Sequence, residues 1–164
     1  AFLECLAEET HESGSASLLD GHDIVYFARS AQRRIMSVGL STGSRLPAFC
    51  TSMGRVLLAA LDPAEARARI LAGKPNALTP HTVTEIGKLM DILAQVRTEG
   101  HAIVDQELEL GLVSLAMPLV NGRGQVTAAF SLSVQSQRVA GDEIETNLLP
   151  RMRAMQKLLQ PRST

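Results

Sequence analysis

Residues 112–134, LVSLAMPLVNGRGQVTAAFSLSV, restrict the possible folds more than any other stretch of the chain. Two β-rich runs flank Asn121-Gly122-Arg123-Gly124, a turn sequence rich in residues that tolerate left-handed backbone and so return one strand antiparallel to the other. Successive side chains on a strand point to opposite sides. Phe130, Leu132 and Val134 therefore share one face, and Ala129, Ser131 and Ser133 the other. In the first run Leu112, Ser114 and Ala116 share a parity. The spacing predicts a hairpin with one packed apolar face and one face of small side chains and hydroxyls.

The rest of the chain surrounds this hairpin with helices and further strands. Residues 13–40 contain two β-rich runs about the Asp20-Gly21 turn signal and a third, RIMSVGL, after Gln32, which predicts a meander. From Thr51 the period changes: Met53, Val56, Leu57 and Ala60 recur at helical spacing. Asp62-Pro63-x-Glu65 opens a second helix that ends near Gly73. Thr82 and Glu85 have capping-box spacing before Ile86, Leu89, Leu93 and Val96, and Gly100 stops that helix. A strand is expected at HAIVD. Near the C-terminus Asp142, Glu143 and Glu145 precede Arg151, Arg153 and Lys157, the charge order a helix dipole favours, with Pro150 expected to kink or divide the helix. The chain also opens in a helical pattern, Phe2, Leu3 and Leu6 with Glu4, Glu8 and Glu9 outside, which suggests a fragment of a longer protein. With 164 residues, 45% of them apolar and 20% charged, the whole reads as one α+β domain around a mostly antiparallel sheet.

Several functions are disfavoured at once. A formal charge of −1, four Phe, one Tyr and no Trp supply neither the field nor the stacking platforms for nucleic acid. Cys5 and Cys50 form no CxxC, and His11, His22, His81 and His101 show no ligand spacing, so neither a disulfide framework nor a metal site is expected. Gly39, Gly43 and Gly54 make no phosphate loop. No apolar run reaches the roughly 18–20 residues that cross a bilayer, and the acidic N-terminus is unlike a signal peptide, so a cytoplasmic setting is expected.

Three constellations remain. Cys50 precedes a helix start, where the dipole can lower a thiol's pKa, yet no base is tied to it; it reads as a nucleophile or as a small buried residue beside a pocket. Asp105, Glu107 and Glu109 alternate, as an acid–base pair or as a solvated face. The third combines the hydroxyls of Ser114, Ser131 and Ser133, the N–H groups starting the Thr51 helix, and Arg34, Met36, Val38 and Leu40 of one strand parity. Helix N-terminus, hydroxyls, guanidinium and apolar walls suit a small carboxylate. The alternative is serines satisfied by backbone and a surface arginine.

In order along the chain, GSRLPAFCTSMGRVLLAAL, LTPHTV, EGHAIVDQELELGL, AMPLVNGRGQVTAAFSLSV and LLPRMR resemble the effector-binding domain of IclR-type bacterial transcriptional regulators, over essentially the whole length. DGHDIVYFARS and RIMSVGLSTGSRLP resemble the branch controlling the β-ketoadipate pathway and related aromatic-acid catabolism, including protocatechuate and 4-hydroxybenzoate responders. The resemblance implies a GAF-like, profilin-like α+β fold: a curved, mostly antiparallel six-stranded sheet with helices on both faces. It implies that residues 1–12 end a linker helix, that 13–164 form the effector-binding domain, and that an N-terminal winged helix-turn-helix is absent from this chain. Family members are usually dimers that assemble into tetramers. The family's effector site carries over to Val38, Leu46, Ser52, Met53, Asp105, Leu112, Ser114, Ser131 and Ser133. Ser52 and Met53 replace the Gly and Ala of members that sense very small keto acids, and the segment from Asp105 to Gly111 is one residue shorter, so a different effector is implied.

The expectation is a non-catalytic sensor without cofactor or metal that binds an aromatic acid or a dicarboxylic ring-cleavage product. Its partners are that small-molecule carboxylate and further copies of itself as a homodimer or tetramer. It contacts operator DNA only through the missing domain and involves no membrane. The carboxylate would meet the N–H groups of Ser52 and Met53, Ser131, Ser133 and Arg34, with Met36, Val38, Leu46 and Leu112 around the carbon skeleton. The alternatives are a GAF-like thiol enzyme using Cys50 and a dimerisation module without ligand.

Overall fold

A computed structural model describes residues 13–30, 43–138 and 142–159. Its strands are β1 (Ser13–Asp20), β2 (Asp23–Ser30), β3 (Arg45–Pro47), β4 (Ala102–Asp105), β5 (Leu112–Val120) and β6 (Val126–Gln135). The helices are α1 (Ser52–Ala59), α2 (Pro63–Ala72), α3 (Ile86–Glu99) and α4 (Leu149–Leu159). The strands join in one sheet of order β3-β2-β1-β6-β5-β4, and every neighbouring pair is antiparallel.

The β5–β6 hairpin forms where its sequence predicts. Asn121 Oδ1 accepts from Arg123 N at 2.9 Å and Gln125 N at 3.1 Å, so the side chain itself imitates a turn. The alternation along β6 then sorts two cores. Phe130, Leu132 and Val134 pack with Val113, Leu115 and Met117 against Leu148, Leu149, Met152 and Met155 on one side of the sheet. Ala129 and Ala116 face the other side, beneath Met53, Val56 and Leu57 of α1. The α+β architecture with helices on both faces is the one expected.

Helix α1 is buried along its whole length, Arg55 included. Thr51 caps it: its hydroxyl accepts from Gly54 N at 3.2 Å and donates to Pro47 O at 3.0 Å. Gly54 is dictated by packing, because a Cβ there would lie 2.1 Å from Ala48 O. Asp62 caps α2 ahead of Pro63, and Gly100, at φ +79°, ends α3.

Two local expectations change. The cap of α3 is Glu85 itself, which accepts from Gly87 N at 2.9 Å. The Thr82 hydroxyl instead accepts from Leu78 N and Thr79 N and donates to Glu107 O, so no capping box forms. The sequence assigns no strand to Arg45–Pro47, yet it forms an edge strand, held where Arg45 pairs with Asp20 at 2.8 Å and Asp23 at 3.3 Å. The strand expected after Gln32 lies outside the described residues, as does the N-terminal helix. At the C-terminal end Ile144–Leu148 wind as a π-helical turn before α4 begins at Leu149, the division expected around Pro150.

Candidate functional site

Strand register builds the candidate site on the sheet face that α1 covers. Ser15 of β1 lies opposite Ser131 of β6, which lies opposite Ala116 of β5. The neighbouring row sets Ser133 opposite Ser114, and Ser114 opposite Val104. Facing pairs share a side of the sheet, so the serines converge there. From above, Ser52 and Met53 of the first turn of α1 close on them. The hydroxyls of Ser52 and Ser114 are hydrogen-bonded to one another, and Ser17 Oγ donates to Met53 Sδ at 3.2 Å.

Ser131 is only 2% exposed, and its register places it on this same side of the sheet. A buried hydroxyl left without a partner costs about 1–3 kcal/mol, so a ligand acceptor at this position would be well matched to it. Above it, Thr51 satisfies Gly54 N, which leaves the N–H groups of Ser52 and Met53 as first-turn donors of a buried helix N-terminus. Donors, small side chains and a helix dipole thus meet at one place.

Positive charge comes from a residue the sequence reading passed over. β1 and β2 slip register at Ala16/Ser17: Ala16 opposes Ala28 and Ser17 opposes Tyr26, leaving Phe27 as an extra residue. The bulge puts Tyr26 and Arg29 on the same face, with Arg29 directly opposite Ser15. Burial pushes the Tyr26 phenol up to about 12, against the opposing pull of the Arg29 charge, so Tyr26 stays protonated and able to donate at neutral pH. Ser15 and Ser17, also missed, were legible in the alternation of SGSASLL; Arg29 was not, because a bulge reverses parity without a sequence signal.

Of the expected site residues, the fold brings together Ser52, Met53, Ser114, Ser131 and Ser133, with Leu112 on the same parity as Ser114. Asp105 does not join them. It faces Val113 across β4 and β5, on the opposite side of the sheet, where it lines a separate hollow of about 290 Å³ with Ile103 and Glu145. Leu46 does not join them either: it pairs with Ile24 on edge strand β3, and Ile24 pairs with Leu19, four residues along β1 from Ser15. That offset is about 13 Å along the strand alone, and Leu46 packs into the α1 core instead. Arg34, Met36 and Val38 lie outside the described residues.

Cys50 is fully buried, with its thiol 4.0 Å from Pro47 O. Burial pushes its pKa up to about 12, outweighing the favourable Arg55 charge, so essentially no thiolate is present at neutral pH. The helix start does not activate it, and no histidine bonds to it among the described residues; His101 instead lies 3.6 Å from Glu99. Glu107 is neither solvated nor part of an acid–base pair, because both its oxygens engage Arg55. Among the described residues no group of three or more His, Cys, Asp or Glu could hold a metal, and no helix is long and apolar enough to cross a membrane.

Known proteins share this arrangement of elements. Residues 1–159 match the family model for the bacterial transcriptional regulator IclR C-terminal domain. The Pca regulon regulatory protein of Pseudomonas putida is 43% identical over 150 residues, covering 91% of this chain and 52% of that protein. The p-hydroxybenzoate hydroxylase transcriptional activator of Acinetobacter baylyi is 34% identical over 158 residues, covering 93% of this chain and 58% of that protein. The chain thus spans a little over half the length of these relatives. Among solved structures, a double mutant of the Acinetobacter PobR inducer-binding domain in complex with 3-hydroxybenzoic acid superposes with a TM-score of 0.89 at 33% identity, covering 96% of this chain and 93% of that one. These relatives are regulators of transcription rather than enzymes, and this chain belongs with them to the IclR C-terminal family.

Proposed function

We propose that this domain senses a small aromatic acid or dicarboxylate of the protocatechuate, 4-hydroxybenzoate or β-ketoadipate class, and that it transmits the binding event to an N-terminal DNA-binding domain outside this chain. One observation carries the reading: the buried hydroxyl of Ser131, set between Ser15 and Ala116 beneath the first-turn N–H groups of Ser52 and Met53. A ligand carboxylate supplies acceptors for all three groups, and Arg29, one strand beyond Ser15, supplies the compensating charge. Ser114 and Ser133 are left for a ring hydroxyl, with Met53 and Leu112 against the carbon skeleton. The hydroxybenzoate held by the Acinetobacter inducer-binding domain belongs to the same chemical class.

Binding regulates only if the acid prefers one of two arrangements of the assembled protein. We assign that assembly to a homodimer or tetramer in which effector occupancy repositions the DNA-binding halves. Titration calorimetry with protocatechuate, 3-hydroxybenzoate, 4-hydroxybenzoate, β-ketoadipate and adipate tests the reading. At least one acid should bind with one-to-one stoichiometry per chain. Arg29→Ala should weaken that acid about tenfold or more, the loss expected for a charge-assisted hydrogen bond. An absence of binding across the panel would leave a dimerisation module as the better account.

A further inference from the structure

The effector reading makes no use of the most elaborate polar cluster in the molecule. Arg55, on α1 and one turn past Ser52, is 2% exposed, and Glu107, in the segment between β4 and β5, is 8% exposed. The guanidinium meets the carboxylate fork to fork, with contacts of 2.7 and 2.6 Å, while its Nε donates to Phe49 O at 2.8 Å. Glu107 Oε1 also accepts from Val83 N at 3.0 Å, and the backbone around it is tied again by Thr82 Oγ1 to Glu107 O and by Thr79 Oγ1 to Gln106 O. One carboxylate thereby joins α1, the turn that leads into it, the loop before α3 and the segment that delivers β5.

We propose that the Arg55–Glu107 pair is the positioning element of the effector site, fixing the height and rotation of the first turn of α1 over β5. The inference rests on the effector-binding reading. A buried ion pair generally adds little stability over apolar residues of similar volume, so a structural explanation alone does not account for it. Its geometry does account for it, because a planar guanidinium held on three sides permits little rotation of the helix that carries it. Three residues before Arg55, Ser52 contacts Ser114; five residues after Glu107, Leu112 begins the strand that carries Ser114. At its β4 end the connecting segment is equally constrained: Gln106 adopts φ +59° and its side chain accepts from Gly111 N at 2.9 Å. A shift of the pair therefore moves the two halves of the site relative to one another.

The test separates positioning from stability by replacing both charges together. Arg55→Met combined with Glu107→Leu fills the same space without an unpaired charge and should melt within a few degrees of the unaltered chain. The acid that binds best in the panel above should bind this double variant at least tenfold more weakly, and Glu107→Gln, which keeps shape but weakens the fork, at least threefold more weakly. Unchanged affinity in the double variant, or in Glu107→Gln if the double variant does not fold, overturns the proposal. If no acid binds even the unaltered chain, the effector reading fails separately, and the clamp is then read through Cys50, buried in the turn that Arg55 holds. In a Cys5→Ser background, the aromatic disulfide reagent DTNB should label Cys50 at least tenfold faster in the double variant; equal rates would overturn the proposal on that arm as well.

Discussion

The two faces of the sheet are made by alternate residues of the same strands, yet they are built to opposite rules. Towards α4 the core is wholly apolar: Phe130, Leu132, Val134, Leu115 and Met117 meet Leu149, Met152 and Met155. Towards α1, or in the loops tied to it, lie the buried polar side chains among the described residues: Ser15, Ser17, Ser52, Arg55, Glu107 and Ser131, with Thr51 and Thr79. Burial of apolar surface at about 25 cal/mol per Å² stabilises both faces, through the α4-side cluster and through the one that joins α1, α2 and α3. The second gives some of that up by burying groups that need partners. One sheet thus carries a dry core on one side and, on the other, an apolar core that also encloses polar side chains.

Substitutions that respect or cross this division test it. The largest effect is expected from Phe130→Ala, which empties the centre of the α4 face: a loss of about 3–5 kcal/mol in urea unfolding, with effector affinity of the folded fraction within about twofold of normal. Ser131→Ala, one residue along the same strand, should do the reverse, lowering affinity about tenfold while stability changes by no more than about 1 kcal/mol, since it removes one hydroxyl and leaves the apolar packing in place. Comparable stability losses from the two substitutions would erase the distinction between the faces. Thr51→Ala should cost about 1 kcal/mol in thermal unfolding through loss of the α1 cap, and should weaken binding slightly by loosening the first turn.

The smallest effect at neutral pH is one of titration. Cys50 is raised from 9.0 to about 12 and Tyr26 from 10.0 to about 12, so in the folded state both hold protons that the unfolded chain releases earlier. Stability from this source is complete below about pH 9 and is lost as pH rises towards 12. Cys50→Ala and Tyr26→Phe should each flatten the alkaline limb of a stability–pH curve measured in urea. An unaltered limb in both variants would show that the α1 face is more open to water than its burial indicates.

Local rules made much of the fold legible. The β5–β6 hairpin follows from Asn121-Gly122 between alternating runs, and the parity of Ser131 and Ser133 carried over directly into the packed structure. Asp62-Pro63 and Gly100 marked helix ends because caps act within one turn. What escaped depended on distant partners. Strand β3 is three residues long and is held by Arg45 against acids more than twenty positions away. Glu107 reads from sequence as part of an acid–base pair or of a solvated face, because its partner Arg55 is 52 residues distant. Asp105 stood beside the site in the family pattern, but register with Val113 turns it to the other face. Arg29 was hidden by a single extra residue at Phe27, since parity arguments fail across a bulge.

The central claim is that the α1 face holds a carboxylate at Ser131. Its most direct test is a calorimetric titration of the unaltered chain and of Ser131→Ala with 3-hydroxybenzoate, 4-hydroxybenzoate and protocatechuate under identical conditions. The account predicts one-to-one binding of at least one acid to the unaltered chain and an affinity at least tenfold lower in the variant, with stability changed by no more than about 1 kcal/mol. Equal affinity in the two proteins would contradict it.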